Sequence, residues 1–401
     1  MLESFDLDKT YQYLLISLAF LMPLTVAGAN IIIIIICFLW LFSGDYKAKY
    51  NQIISSKLMI ASIVFYCLHV IGMLWTEDLM WGFHILHKMW YFLLLFPILF
   101  NIVQRKYITY YIFAFLLAIA LTEIVSYLVW FEIIPPFKNA TVDNPTPFMS
   151  HISYNPILSF AIYLVLHEIF LNKKLTNLVF LFYSFFAISM TINMFITGGR
   201  AGQVGFFVIL SILIIQIFDK QRIKSLLVIF IMIPSIFISA YLTSDLFQER
   251  VNSAIKEISK PMIDSKHLTS VGLRIHFAKN SFAVVKENPI IGVGTGDFPS
   301  EYKKINQINT PQLPNATNPH NMYTLITMQL GLIGLVSMLS IFYYQIKLSF
   351  YASNRFIKDV GVTLPLLFLV IMWSDSYLLG HYTSLLFVFF SSFLYKDFEK
   401  S

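Results

Sequence analysis

The sequence predicts an all-α, polytopic integral membrane protein of about twelve transmembrane helices with one large helical loop outside the membrane. Three observations predict it. Hydrophobic residues make up 57% of the 401 positions and charged ones only 12%. Apolar runs of nearly helix-spanning length recur along the chain, and roughly 20 apolar residues are what an α-helix needs to cross about 30 Å of hydrocarbon. The basic residues gather in alternate loops. A chain of this length has room for two or three soluble domains, but this composition does not describe a soluble core. The whole chain, 1–401, is expected to be a single membrane domain.

The spans fall near 11–27, 29–42, 57–75, 88–103, 107–131, 153–171, 176–197, 201–218, 224–243, 321–346, 360–379 and 382–395. The first run lacks a positive leader and a small-residue cleavage site, so it reads as a retained span, and with the second it makes a tight hairpin around Ala27, Gly28 and Ala29. Cys37 and Cys67 both fall in apolar runs, which gives no support to a disulfide framework or a thiolate metal site. One set of alternate loops holds Lys47, Lys49, Lys57, Arg105, Lys106, Lys173, Lys174, Lys220, Arg222, Lys224, Lys347, Arg355 and Lys358, with Lys9, Lys396 and Lys400 at the two ends. The opposite short loops hold Lys88, Lys138 and Arg200. The first set is therefore expected on the cytoplasmic side, with both termini. The net charge of +6 is a property of loops, and no nucleic-acid partner is expected.

The segment 244–320 lies between spans nine and ten and is expected on the outer face. Leu246, Phe247, Val251, Ile255 and Ile258 recur near helical spacing with charges between them, which predicts an amphipathic helix on the membrane surface, ended by Pro261. A second helix is predicted from Val271 to Glu287, stopped by Asn288 and Pro289. The stretch Gly292-Val-Gly-Thr-Gly-Asp is too glycine-rich for helix or strand.

Within this frame Thr197-Gly-Gly-Arg200-Ala-Gly is the sharpest anomaly. A lone arginine at a span end can snorkel to the interface. Alternatively, Gly198 and Gly199 turn the chain, Gly202 and Gly205 let helices approach, and the guanidinium is held in an outward-facing cavity. Arg274 in Val271-Gly-Leu-Arg-Ile-His reads either as a solvated helix charge or as a ligand group. His320 in Asn318-Pro-His-Asn-Met-Tyr stands at the outer mouth of the bundle, either as an interfacial histidine or as a reactive one. Taken together, the two arginines and the histidine suit one chemistry. Cleaving a sugar–phosphate bond builds negative charge on the leaving group, which a guanidinium fork can hold bidentately without a metal. An imidazole, whose ordinary pKa is about 6.5, can accept the proton of an attacking hydroxyl.

The segments Gly198-Gly-Arg-Ala-Gly, Asn288-Pro-Ile-Ile-Gly-Val-Gly-Thr-Gly-Asp-Phe, and Asn318-Pro-His-Asn-Met-Tyr with Gly331-Leu-Ile-Gly resemble, in that order, the signature of the O-antigen ligase and polymerase superfamily. The resemblance covers roughly Thr197 to Gly334; the first half of the chain shows only the general pattern of spans. It implies a GT-C-like fold and a glycosyltransferase that is inverting and metal-independent. Such an enzyme would move a glycan from an undecaprenyl diphosphate donor to lipid A-core in lipopolysaccharide assembly, at the periplasmic face of a bacterial inner membrane. It further implies Arg200 and Arg274 on the diphosphate and His320 near the acceptor, with no cofactor.

Gly199, Gly294 and Asn321 are expected to shape the substrate site. His151 and Tyr154, opening the sixth span, are expected to line the outer cavity or simply to pack, and Asp375 to partner an arginine if it is buried. Gly292, Gly294 and Gly296 lack the spacing and context of a nucleotide-binding loop. Asp6 with Asp8 and Glu77 with Asp78 are weak acidic pairs without further ligands, and His84 and His87 read as aromatic-belt packing. A polymerase would use the same donor but is expected to show two large outer loops. A transporter of lipid-linked sugars is expected to show inverted repeats and charges within the spans, and the sequence reads as having neither.

Overall fold

The computed structural model describes residues 6–138, 140–172, 174–259 and 270–398. In chain order its helices are α1 (Leu7–Leu21), α2 (Val26–Phe42), α3 (Tyr46–Ser55), α4 (Lys57–Gly72), α5 (Leu79–Trp90), α6 (Phe96–Ile102), α7 (Ile108–Trp130), α8 (His151–Leu171) and α9 (Asn177–Ile196). They continue as α10 (Arg200–Ile217), α11 (Arg222–Thr243), α12 (Asp245–Ser259), α13 (Ser270–Glu287), α14 (Phe298–Asn309), α15 (Met322–Tyr351), α16 (Arg355–Ile371) and α17 (His381–Leu394). Among the described residues regular structure is helical throughout, as expected. The termini of these helices follow their caps: the side chains of Asp6, Thr25, Ser56, Asp78, Thr176, Asn321 and Asn354 each accept a backbone N–H of the first turn.

The twelve crossings the sequence suggested are not all matched by span-length helices. Among the described residues eight helical stretches are long and apolar enough to span a membrane, and nine if α2 and α3, bent by 115° to one another, form one broken span. Each predicted run is helical, but α1, α2, α16 and α17 have 15, 17, 17 and 14 residues. At 1.5 Å per residue they fall short of the hydrocarbon thickness. α17 shows how an apolar run can be short and still belong. From Thr383 to Leu394 its side chains are buried, with Phe387 against Phe92, Phe342 and Phe368, and Phe390 against Phe115 and Phe160. It is apolar all round because protein surrounds it. α11 is the opposite case: Phe230 is 80% exposed and Ile223 78%, which suits a helix sheathed in lipid.

α5 and α6 form one stretch, Leu79–Ile102, joined through a π turn at Tyr91–Leu95. There Phe96 N–H donates to the Tyr91 carbonyl, one residue further back than in an α-helix, just ahead of Pro97, which has no N–H to give. α7 carries a carboxyl inside its span, contrary to the expectation of spans free of charge. Glu123 is 3% exposed and accepts a hydrogen bond from the Ser189 hydroxyl of α9. Counting the basic residues alone had passed over it.

The glycine-rich stretch after α13 has a definite partner. α15 is broken at Gly331 (φ 63°, ψ −160°), which frees backbone groups in the helix interior. The segment 288–297 supplies their partners: Val293 N–H donates to Met328 O (2.9 Å), Gly294 N–H to Gln329 O (3.0 Å), and Leu332 N–H to Pro289 O (2.9 Å). A Cβ on Gly292 would stand 2.4 Å from the Gln329 carbonyl carbon, and one on Gly331 2.2 Å from that of Ile290, so both glycines are required by backbone lying on backbone. The same segment reaches α4, where Thr295 Oγ1 donates to His69 O (2.7 Å), and the chain beyond it, where Asp297 accepts the N–H groups of Glu77 and Asp78. The Gly331-Leu-Ile-Gly stretch therefore marks a break inside α15, after which the helix resumes to Tyr351.

α12 and α13 form as the spacing predicted; Pro261 lies outside the described residues. α12 does not simply rest on a lipid surface. Phe247 is buried against Phe195 of α9 and Phe237 of α11, and Ser244 Oγ donates to Phe195 O.

A candidate active site at the helix starts of α8, α10 and α15

The functional side chains gather at one end of the bundle. α10 packs closely on α8 because Gly199 and Gly202 let it. A Cβ on Gly199 would stand 2.5 Å from His151 O and one on Gly202 2.3 Å from the Asn155 carbonyl carbon. Gly199 has φ −83°, so its need is close approach and not the sharp turn that was expected. One turn on, Gly205 faces Leu367 and Ile371 at the end of α16, and the following Met372 accepts the N–H of Met322, first residue of α15. This chain of contacts places Arg200, His151 and His320 at the same end.

His320 is built by strain and four neighbours. It has φ 51°, a left-handed conformation that costs a non-glycine residue of the order of 1 kcal/mol and is found where surrounding structure enforces it. Its N–H donates to Asn318 Oδ1 (2.9 Å), which also accepts from Ser376 Oγ (2.9 Å). Asn321 caps α15 and donates to Trp373 O (3.2 Å). The imidazole Nδ1 stands 3.3 Å from Asp375 Oδ1. A carboxylate only accepts, so this contact puts the proton on Nδ1 and leaves Nε2 with a free lone pair. The ring lies on Phe277 of α13, centroids 6.3 Å apart and planes 25° apart. With the side chain 41% exposed, it stays reachable.

Arg274 and Phe277 are three residues apart on α13 and share a face, so the helix that covers His320 also brings Arg274. The guanidinium acts electrostatically on Tyr377, a buried tyrosine two residues from Asp375. Burial first and the Asp375 charge second push the Tyr377 hydroxyl above its ordinary pKa, so it stays a neutral dipole at physiological pH. Asp375, expected to partner an arginine, has His320 as its ionic partner.

Arg200 opens α10, half-buried, its N–H bonded to Gly198 O. Behind it Thr197 Oγ1 donates to Asn155 Oδ1 (2.7 Å), and Asn155 Nδ2 donates to Gly199 O (3.3 Å). Asn144 closes the front: Oδ1 accepts Gly198 N–H (3.1 Å) and Nδ2 donates to His151 Nδ1 (2.6 Å). Because Gly198 N–H fixes the amide's orientation, His151 is left with its proton on Nε2. Tyr154 is turned away from the cavity it was expected to line. It is 2% exposed, and its hydroxyl donates to Asn193 Oδ1 (2.9 Å) inside the bundle. Gly294 (φ 118°) is enclosed by Thr76 and Asp297 in the lock on α15, so its surroundings are protein. Glu77 and Asp78 serve that same lock through their backbones, and Asp78 caps α5.

Sequence reasoning missed Phe277, Tyr377, Asn144 and Asn155, and named Asn318 only as part of the motif around His320. Of those missed, only Phe277 carried a usable signal, its spacing from Arg274; the others depend on segments distant in sequence meeting.

The fold and this end of it define a polytopic membrane protein that presents cationic groups and an acid-paired histidine at one mouth of its helix bundle. Residues 185–339 match the family model described as O-antigen ligase, and the match supports the O-antigen ligase superfamily. The matched stretch contains Arg200, Arg274, Gly294, His320 and Asn321, while His151, Tyr154 and Asp375 lie outside it. The chain is also similar to an uncharacterized protein of Haemophilus influenzae, 28% identical over 162 residues, 39% of this chain and 40% of that relative.

Proposed function

We propose that the protein is an O-antigen-ligase-like glycosyltransferase that moves a glycan from undecaprenyl diphosphate to a lipid A-core acceptor, with inversion and without a metal. The observation that carries this reading is His320, paired through Nδ1 with Asp375 and covered by the helix that brings Arg274. The acceptor hydroxyl oxygen attacks the anomeric carbon from the face opposite the phosphate, and the bond from that carbon to the phosphate oxygen breaks. The hydroxyl proton passes to His320 Nε2, and Asp375 offsets the imidazolium charge that results. The diphosphate leaves with one more negative charge, which Arg274 and Arg200 neutralise through charge-assisted hydrogen bonds. The periplasmic face of the inner membrane is the side this reading assigns to the site.

The test is transfer from purified undecaprenyl diphosphate-linked glycan to lipid A-core in EDTA, comparing the intact protein with Arg200→Ala, Arg274→Ala and His320→Ala. The reading expects transfer that survives EDTA and falls at least about 100-fold in each variant. Elongation of the glycan on its carrier, with none on lipid A-core, makes the protein a polymerase instead. Neither product from a folded preparation overturns the glycosyltransferase reading.

A further inference from the structure

We propose that Arg250, on the amphipathic helix α12, is a third arginine of the donor site, placed to bind an anionic phosphoryl oxygen beside Arg200. The proposal rests on the reading above and adds a residue to it.

The helix that carries Arg250 is fixed in place. Phe247, one turn earlier on the same face, is buried among Phe195 and Phe237; Ser244 Oγ bonds Phe195 O; and Tyr241 OH donates to Asn252 Oδ1 (2.8 Å). A residue three positions after such an anchor is turned toward the bundle. Arg250 accordingly meets the Gly198 turn, where its Nη2 lies 3.6 Å from the position a Cβ on Gly198 would occupy. Its charge also acts on His151. The guanidinium therefore lies beside the turn that leads into Arg200.

The guanidinium has a hydrogen-bond donor to spare. Arg250 Nε is shielded from solvent and has no hydrogen-bond partner among the described residues, and none of the ion pairs among them includes Arg250. A buried donor on a permanent cation is costly to leave unmet, and the acceptor that meets it best is an oxyanion. The neighbours do not compete. Asn144 is engaged on both amide atoms by Gly198 and His151. Two guanidinium groups reaching this end from different elements, one from α10 and one from the long loop, suit a ligand with more than one phosphoryl group.

The experiment is equilibrium binding of farnesyl diphosphate to the full-length protein in detergent micelles, for wild type, Arg250→Ala, Arg250→Gln and Arg250→Lys, with ligand-free thermal unfolding of each. Wild-type binding that weakens by about tenfold or more in Arg250→Ala and Arg250→Gln, and recovers in part in Arg250→Lys, with unfolding temperatures unchanged, is the expected result. Equal affinity in wild type and Arg250→Gln overturns the assignment of Arg250 and leaves the glycosyltransferase reading standing. A lowered unfolding temperature with unaltered affinity makes Arg250 a structural donor only. No binding of the diphosphate by wild type overturns the donor site itself, and Arg250 with it.

Discussion

His320 shows how a single residue combines cost and use. Its backbone is held where only glycine is at ease, and the strain is sustained by Asn318, Asn321 and Ser376 around it. Replacing His320 by alanine removes the proton acceptor, and transfer should fall at least about 100-fold with unfolding little changed. Asp375→Asn should keep the contact but weaken the preference for the Nδ1 proton, lowering the transfer rate by about 10- to 100-fold with acceptor KM unchanged. A steady-state split of kcat from KM checks it; a change confined to KM would mean that Asp375 binds the acceptor instead. At this scale the arginines and the histidine were legible because charge in an apolar sequence stands out. Of the partners of His320 only Asn318, two residues away in the same motif, was within view; Phe277 and Asp375 become neighbours of His320 only when a surface helix and a span end meet its loop.

Among elements, the broken α15 and the segment 288–297 form one unit. Either glycine at the contact, Gly292 or Gly331, should tolerate no side chain: Gly331→Ala adds a left-handed alanine to a backbone collision and should cost at least about 2 kcal/mol, read as a fall in unfolding temperature or loss of folded protein. Gly202→Ala should likewise force α10 off α8, since its Cβ would meet backbone. At the far end of α17, Lys396 Nζ sits against the carbonyls of Asn101 and Val103, and burial lowers its pKa to about 8. The folded lysine gives up its proton before the unfolded one does, whose pKa is about 10.5, so stability should rise with pH between those values. Unfolding temperatures at pH 8 and 10 for wild type and Lys396→Met test this; a rise that persists in the variant would assign it elsewhere. The first two helices of the long loop and the turn after α13 were legible from periodicity and glycine content, whereas α14 was not predicted. The break in α15 was not, because no local preference marks where a second chain segment supplies the missing hydrogen bonds.

Across the whole molecule, the sidedness inferred from basic residues makes a direct prediction. In a chain whose Cys37 and Cys67 are replaced by alanine, a cysteine at exposed Lys279 should react in intact cells with a membrane-impermeant maleimide, and one at exposed Gln221 should react only after permeabilisation. The opposite pattern would invert the membrane orientation and move the site to the cytoplasm. The overall helical plan was legible from hydropathy, whereas the number of crossings was not: α17 is as apolar as a span because it is enclosed by other helices, and hydropathy does not distinguish enclosure from lipid. The break at Gly331 also constrains how the chain is assembled. Carbonyls at Met328 and Gln329 inside a membrane helix have no water to turn to, so α15 cannot settle in the bilayer as a finished unit. The segment that satisfies them is synthesised earlier and emerges on the side where Arg274 lies. Insertion of α15 and closure of the long loop are thus a single event, and the chain cannot complete α15 without also having brought α13, with Phe277 against His320, to its place.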